Sequence, residues 1–245
     1  MRQDHRPYWL RQIMDAYESW HSQHFLAPAF DTMGPGCSVT KPWNVHVFGG
    51  NIHMGRHVEV RAAQDGPIRF TTWRRPDGDG QLAQGRIRIG DCCLIGPGVR
   101  IQAARSVELH DAVMLASRVL VSDADWHGLY DRVESPGRSL PVVIGENAWI
   151  GDSALVLKGS RIGRNSIIGA GSVVAGVVPD NVIAAGNPAR VLRRLDPERP
   201  CVSRLALYAD PAALQGLTDG LYRYALKGNS LAAWLRTRVL PRRGD

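Results

Sequence analysis

The sequence predicts a mainly β protein: a parallel β-solenoid of short strands, with a helical segment before it and a helical extension after it. An aliphatic residue recurs at every sixth position over long stretches. Glycine is abundant, at 26 of 245 residues, whereas aromatic residues make up only 7%. A period of six fits neither a helix, at about 3.6, nor simple alternation, at about 2.0, but it fits a short strand followed by a turn. Three such units would close one triangular coil.

The longest run of this repeat lies in the second half of the chain. Its aliphatic residues keep one phase: Ile144, Ile150, Val156, Ile162, Ile168 and Val174. Shorter runs precede it: Ile89, Ile95 and Ile101, then Leu109, Leu115 and Val121, with a fainter start at Met54 and Val60. We expect these residues to point into the axis and to stack on their equivalents in neighbouring coils. The fourteen hexads predict four to five coils, and six consecutive residues in phase disfavour chance alternation in a β-sandwich.

The solenoid is expected to cover residues 46–193 and to be interrupted twice. Residues 61–86 contain the turn-rich RRPDGDG, so they form either a loop or an insertion around an extra strand such as Ile68–Trp73. The second interruption separates Val121 from Ile144 and predicts a protruding loop over residues 122–141. Loops that project from a rigid scaffold often carry function.

Helices are predicted on both sides of the solenoid. Within residues 1–45, Trp9, Ile13 and Trp20 recur at helical spacing after Pro7, which predicts a helix in residues 7–26 that packs on one end of the solenoid or binds a partner. Residues 194–245 predict helices at 203–226 and 229–240, the second capped by Asn229 or Ser230. This basic tail packs on an oligomer or, in a second interpretation, lies on a membrane surface.

Charge and composition restrict the cellular setting and the partners. The formal net charge is +7, which favours anionic partners such as phosphates or lipid head groups. No nucleic-acid recognition module is visible, so nucleic-acid binding is disfavoured. The four cysteines show no CxxC spacing, and neither a signal peptide nor a long apolar stretch is evident. We therefore expect a cytoplasmic protein, with peripheral association at the inner membrane face left open.

The run from Ile144 to Leu195, which ends in AAGNPARVLRRL, resembles hexapeptide-repeat acyltransferases, especially the maltose, galactoside and lipopolysaccharide-sugar O-acetyltransferases. The resemblance extends over roughly residues 46–193. It implies a left-handed parallel β-helix, which is an exception to the usual right-handed crossover. It also implies a homotrimer that uses acetyl-CoA or another acyl-CoA as co-substrate, without a metal.

The resemblance places the catalytic base in the protruding loop, where SDADWHGLYDR contains His127. A neutral imidazole can accept a proton from an acceptor hydroxyl. Asp125 or Asp123 would orient it. The sequence departs from the family pattern, since Ala124 stands where a second histidine is expected and Trp126 is an extra residue. The remaining histidines are scattered and none follows His127, which disfavours the zinc site of γ-class carbonic anhydrases, proteins of the same fold.

The family's donor site maps onto the later coils. Trp149 and Gly151 match positions that flank the pantetheine arm of coenzyme A, and Gly169 and Ala170 match positions that contact its amides. Two further positions near the adenosine phosphates correspond to Arg190 and Arg193, whose guanidinium groups suit phosphate. Arg118 stands where related enzymes often carry asparagine near the acyl and acceptor groups, which suggests an unusual or anionic acceptor.

Three functions fit these features. The first is O-acylation of a carbohydrate-type acceptor, either a small molecule or a lipid-linked sugar. The second is a catalytically silent trimeric scaffold, which the altered histidine loop and the long basic tail would suit. The third is N-acylation of an amino-sugar or an antibiotic, because nothing in the sequence separates amine from hydroxyl acceptors.

Overall fold

A computed structural model describes residues 4–76, 81–133 and 135–243. Residues 77–80 of the predicted turn-rich segment, residue 134 of the predicted loop, and the chain ends at 1–3 and 244–245 lie outside the described residues. The chain divides into two compact units. One is His21–Ala206; the other joins Met1–Trp20 to Leu207–Asp245.

The larger unit is a stack of short strands. In chain order they are β1 Thr32–Met33, β2 Ser38–Thr40, β3 Val45–Phe48, β4 Ile52–Met54, β5 Glu59–Arg61, β6 Ile68–Thr72, β7 Arg74–Pro76, β8 Leu82–Gln84, β9 Arg86–Ile89, β10 Leu94–Ile95, β11 Arg100–Ala103, β12 Ser106–Leu109, β13 Met114–Leu115, β14 Leu120–Ser122, β15 Val142–Ile144, β16 Trp149–Ile150, β17 Leu155–Val156, β18 Arg161–Ile162, β19 Ile167–Ile168, β20 Val173–Val174, β21 Val177–Val178, β22 Val182–Gly186 and β23 Ala189–Arg194.

Strands from successive coils form three sheets. Sheet A has the order β1-β4-β9-β12-β15-β18-β21, sheet B the order β2-β5-β10-β13-β16-β19-β22-β23, and sheet C the order β3-β6-β11-β14-β17-β20. All neighbours pair in parallel except β22 and β23, which are antiparallel. The chain visits sheets A, B and C in turn, so the solenoid has three corners, which we call A/B, B/C and C/A. The hairpin β7-β8 lies outside the three sheets.

The repeat residues form the core, as predicted. All fourteen aliphatic hexad residues are buried, and none is more than 3% exposed. Parallel registers align them from coil to coil, for example Ile95 with Leu115, Leu115 with Ile150, and Ile150 with Ile168. Burial of one such side chain contributes about 1.5–3 kcal/mol, so the stack is the main source of stability.

The parallel sheets extend beyond the predicted residues 46–193 at the N-terminal side. Sheet A has seven strands, more than the four to five predicted coils supply, because β1 begins at Thr32. The six-residue period breaks at sheet C in the first two coils: Val47 stands eight residues after Val39, and Phe70 stands ten residues after Val60. Phe70 fills the axis of the second coil and packs edge-on against Phe30 at 5.6 Å between ring centroids. The suggested strand at Ile68–Trp73 is observed as β6.

The second unit contains three helices, α1 Tyr8–His21, α2 Pro211–Ala225 and α3 Leu231–Val239. The Ser230 hydroxyl accepts from the Ala233 amide at 3.2 Å, which confirms one of the two predicted caps of α3. Segments predicted as separate, at the two chain ends, form one unit. Tyr8 donates to Asp219, and the Arg11 guanidinium lies 3.4 Å from the Tyr222 ring centroid. Among the described helices none is long and apolar enough to cross a bilayer.

Candidate active site

Both interruptions of the repeat leave the solenoid at its C/A corner. Residues 73–85 connect β6 to β9 and carry the hairpin, while residues 123–141 connect β14 to β15. The ring centroids of Trp73 and Trp126 lie 4.3 Å apart. The protruding loop therefore packs on the earlier insertion at its root, which gives the extra Trp126 a structural explanation.

Asp123 secures the start of this loop. Its buried carboxylate accepts from the amides of Ala104 and Arg105, both at 2.7 Å, in the preceding turn of the same corner. Its carbonyl accepts from the Leu140 amide at 2.8 Å, which closes the loop on itself. Burial raises the pKa of Asp123, although these amide donors oppose the shift. The Asp123 carboxylate thus serves the turn of the preceding coil.

Asp125 lies one step further along the loop and bonds to the next coil. The Lys158 ammonium donates to its carboxylate at 2.5 Å. The backbone amide of Asp125 donates to the Arg138 carbonyl at 2.9 Å, and the Gly137 amide donates to the Asp125 carbonyl at 2.8 Å. Of the two aspartates expected to orient the imidazole, both have their carboxylates engaged elsewhere within this chain.

His127 stands beyond this closed root, and its side chain is exposed. Within the described ranges its imidazole makes no hydrogen bond. Gly137 allows the returning part of the loop to pass close to the His127 backbone, since a Cβ at that position would lie 2.4 Å from the His127 carbonyl oxygen. The loop thus presents the imidazole outward from the solenoid.

Most residues of the predicted donor site lie on sheet B or at the corner that follows it. Trp149 is 47% exposed on β16. The register continues from Trp149 to Ile167, then to Ile183, and then to Arg193. With strands about 4.8 Å apart, this row places Arg193 about 14 Å from Trp149. Arg190 pairs with Ala185 on the same two final strands. An indole and two exposed guanidinium groups therefore share one face.

Glycine keeps the adjoining B/C corner low. The Gly151 amide donates to the Ile168 carbonyl at 2.8 Å, and a Cβ on Gly151 would lie 2.6 Å from the Ala170 amide nitrogen. At Gly169 a Cβ would lie 2.8 Å from the Ala185 Cβ. Ala170 is exposed at the rim. No larger residue fits at the two glycines without displacing backbone or a neighbouring coil.

Arg118 also lies at the B/C corner, with a left-handed φ of 59°. Its guanidinium donates to Asp152 at 2.6 Å and to the Ser153 hydroxyl at 3.0 Å. Hydrogen bonds from Ser153 and from Arg118 lower the pKa of Asp152. The Arg118 side chain is 70% exposed. Strand β14 joins Arg118 to the start of the loop, so Arg118 and His127 flank sheet C from its two ends.

One chain does not bring His127 and Trp149 together. His127 leaves the C/A corner, and sheet B is the face opposite that corner of the triangle. The outward-facing side chains differ from one sheet to another. Partly exposed aliphatic side chains cover sheets B and C in the later coils: Leu94, Met114, Ile167 and Ile183 on B, and Leu120, Leu155 and Val173 on C. Sheet A presents His53, Arg88 and Glu108 in its early coils and Val143, Arg161 and Val177 in its later ones.

A polar groove of about 820 Å³ runs along sheet A, and it contains none of the sequence-predicted site residues. The Arg86–Glu108 ion pair, 2.5 Å long, crosses it. Among the residues placed by the structure, no three histidine, cysteine, aspartate or glutamate side chains are grouped closely enough to hold a metal ion. Lys158 and Asp152 could not be predicted from the sequence, because their roles depend on which turns become neighbours.

Comparison with known sequences places the repeat in a described family. Residues 141–176 match the bacterial transferase hexapeptide (six repeats). A probable acetyltransferase of Mycobacterium tuberculosis is 30% identical over 183 residues, which cover 70% of this chain and 60% of the relative. The galactoside O-acetyltransferase of Escherichia coli is 40% identical over 93 residues, 37% of this chain and 45% of the relative. The chain thus spans about half of these relatives' length.

Solved structures share the fold at low sequence identity. An N-acyltransferase from Bacillus cereus, in complex with dTDP and 3-hydroxybutyryl-CoA, has a TM-score of 0.55 at 15% identity and covers 80% of this chain and 96% of its own. A hexapeptide-repeat acetyltransferase from Vibrio cholerae, complexed with acetyl-CoA, has a TM-score of 0.50 at 22% identity, covering 76% and 82%. The repeat, the relatives and the three-sheet coil agree: the chain is similar to hexapeptide-repeat acyltransferases and folds as a left-handed parallel β-helix.

Proposed function

We propose that this protein is an acyl-CoA-dependent O-acyltransferase that moves an acetyl or other short acyl group to a hydroxyl of a carbohydrate-type acceptor. The observation that carries the proposal is the presence, on one protein, of an outward imidazole, His127, and of a separate face on sheet B that carries an indole and two arginines. The names of the sequence relatives, which include a galactoside O-acetyltransferase and a putative lipopolysaccharide O-acetyltransferase, support the acceptor class.

The active form in this proposal is a homotrimer with its B/C corners toward the threefold axis. The aliphatic columns of sheets B and C both adjoin that corner, so sheet C of one protomer can pack on sheet B of the next in a closed heterologous ring. The C/A corner of one protomer then lies beside sheet B of its neighbour. Each active site combines His127 from one protomer with Trp149 from another.

His127 acts as the general base. Its imidazole takes the proton of the acceptor hydroxyl while the hydroxyl oxygen forms a bond to the thioester carbonyl carbon. The tetrahedral intermediate then collapses, the C–S bond breaks, and the imidazolium returns the proton to the leaving thiolate. Because a thioester is already activated, one positioned base suffices for the reaction.

Asp125 supports this chemistry by positioning the loop. Within a single chain its carboxylate accepts a hydrogen bond from Lys158, and its backbone hydrogen bonds close the base of the loop. The bond therefore fixes the segment from which His127 projects. Proposed as a catalytic partner from the sequence, Asp125 has a geometry that fits a positioning residue better than a direct contact with the imidazole.

The donor lies in the cleft between sheet B of one protomer and sheet C of the next in this proposal. The pantetheine arm passes Trp149 and the low corner of Gly151, Gly169 and Ala170, and the phosphates reach Arg190 and Arg193. The row of about 14 Å between Trp149 and Arg193 is shorter than an extended pantetheine with its pyrophosphate, so both ends can be held at once. Arg118 lies at the B/C corner, at the end of β14 opposite to the loop that carries His127, and its contact with the acceptor stays a prediction from the sequence.

The decisive assay measures release of the free thiol from acetyl-CoA with a panel of sugars, amino-sugars and lipid-linked sugars. We expect sugar-dependent release, and we expect His127→Ala to lower kcat about 10²–10⁴-fold. Tyr130→Ala is the matched control, because Tyr130 is fully exposed in the same loop, and it should retain activity.

Other outcomes separate the alternatives. Release only with amine acceptors would replace O-acylation by N-acylation. Failure to bind coenzyme A in calorimetry, with the trimer intact, would favour the scaffold function. Equal losses in the His127 and Tyr130 variants would mean that the loop, and not the imidazole, matters.

A further inference from the structure

Helix α3 and the residues that follow it carry a concentrated positive charge. Residues 231–243 contain Arg236, Arg238, Arg242 and Arg243, and they contain no aspartate or glutamate. This segment of 13 residues therefore holds four of the chain's 30 basic residues with no acid between them. A run of this kind is attracted to anionic surfaces and repels a second copy of itself.

The same helix presents an exposed apolar stripe. Leu231, Leu235 and Val239 follow one another at intervals of four, so they share one face. Their exposures are 42%, 48% and 74%, and Leu240 beside them is 69% exposed. The opposite face is inside the unit, since Thr237 is only 4% exposed. The stripe is thus the outer face of a helix whose other side is packed.

Arginine flanks the stripe on both sides. Arg238 is three residues after Leu235 and precedes Val239, while Arg236 lies on the other flank. The Arg238 guanidinium is 5.8 Å from the Trp234 ring centroid. Long basic side chains beside a narrow aliphatic strip allow the apolar groups to enter a lipid interface while the cations stay at head-group level.

We propose that α3 and residues 240–243 form a docking surface for an anionic lipid bilayer. The helix would lie in the plane of the interface, with Leu231, Leu235 and Val239 inserted and Arg238, Arg242 and Arg243 on the head groups. A helix of nine residues cannot span a bilayer, so the contact is peripheral. This docking surface lies on the helical unit and is independent of the transferase chemistry.

Vesicle co-sedimentation of the full chain tests this surface. We expect binding to vesicles with about 40 mol% phosphatidylglycerol in phosphatidylcholine, little binding to phosphatidylcholine alone, and weakening with salt. Each arginine near an anionic surface contributes about fivefold in affinity, so Arg238→Ala with Arg242→Ala should weaken binding about 30-fold. Leu235→Glu with Val239→Glu should abolish it.

Helix α2 supplies the matched control. Leu217 and Leu221 are 64% and 61% exposed, so Leu217→Glu with Leu221→Glu changes charge and apolar area as much but on another helix. This variant should keep most vesicle binding. Circular dichroism and light scattering verify that all variants keep their helices and their oligomeric mass.

Three results would overturn the proposal. Equal binding to anionic and neutral vesicles would mean that the arginines do not drive binding. Equal loss of vesicle binding in the α2 and α3 variants would mean that α3 is not the docking surface. A change of oligomeric mass in the Leu235 and Val239 variant, without any vesicle binding by the unmodified protein, would identify the stripe as a contact between copies of this chain.

Discussion

At the C/A corner, three residues in close succession have different tasks. Asp123 is fully buried and accepts hydrogen bonds from backbone amides, Asp125 is half-buried and accepts one from Lys158, and His127 is exposed. The alternation follows from the loop leaving the solenoid: the first side chain still points into the turn, the second spans to the next coil, and the third is beyond both. Only the last is placed to meet a substrate.

Asp123 provides a test at this scale. Asp123→Ala leaves the amides of Ala104 and Arg105 without their acceptor and should lower the free energy of unfolding by about 1–3 kcal/mol. Asp123→Asn keeps one acceptor and should cost less. Urea unfolding followed by circular dichroism measures both. Equal destabilisation by the two substitutions would contradict the capping role.

The same residue predicts a pH dependence. Burial raises the pKa of Asp123 in the folded state. The contribution of Asp123 to the free energy of unfolding is therefore complete below about pH 4, and it is lost as the pH rises through the raised pKa. Relative to Asp123→Asn, the unmodified protein should therefore lose stability across that window on going to neutral pH. A difference in unfolding free energy that is flat with pH would contradict the raised pKa.

Single site residues could be predicted from the sequence only where a linear motif carries them. His127 and Trp149 stand in recognisable segments, and the structure places one in an exposed loop and the other on an outer face. Lys158 and Asp152 could not be predicted, because each becomes a partner only through the offset between neighbouring coils: Lys158 and Asp125 are 33 residues apart in sequence.

At the scale of elements, the A/B corner is stabilised by a ladder of side-chain amides. Asn147, Asn165 and Asn181 adopt left-handed φ values of 56–57° at equivalent turns. The Asn147 amide donates to Asn165 at 3.0 Å, and the Asn165 amide donates to Asn181 at 2.8 Å. Asparagine suits these turns because it tolerates the left-handed region and also bonds to the next coil.

Substitution of Asn165 separates the two contributions. Asn165→Gly keeps the left-handed turn but removes two hydrogen bonds of the side-chain amide, so it should lower the free energy of unfolding by about 1–3 kcal/mol. Asn165→Ala removes the same bonds and adds about 1–2 kcal/mol of backbone strain. Chemical denaturation of both variants measures the difference. If the alanine variant is as stable as the glycine variant, the left-handed backbone contributes nothing.

The sequence predicted elements well where every coil repeats the same chemistry. The aliphatic residues of the six in-phase hexads from Ile144 to Val174 are all buried. The first coil escaped detection because its regular spacing is short: Met33 and Val39 are six residues apart, but Val47 follows eight residues later. In the second coil an aromatic residue, Phe70, fills the axis. A period can be read only while the side chain that fills the axis keeps its type.

At the scale of the whole molecule, the distribution of residue types over the three faces matters most. Aliphatic columns cover the later coils of sheets B and C, charged and polar side chains cover the early coils of sheet A, and both insertions leave the C/A corner. The hexad period could not reveal this, since it specifies the inward residue of each strand and leaves the outward one free. The proposed site between protomers follows from these outward residues.

Mixing two inactive variants tests the site between protomers most directly. His127→Ala and Trp149→Ala protomers are purified, dissociated and reassembled together at equal amounts, and thiol release is measured at acetyl-CoA concentrations below KM. A heterologous ring places an intact His127 beside an intact Trp149 at about one interface in four, so the mixture should recover about a quarter of the unmodified activity. A mixture no more active than the separate variants would contradict a site shared between protomers.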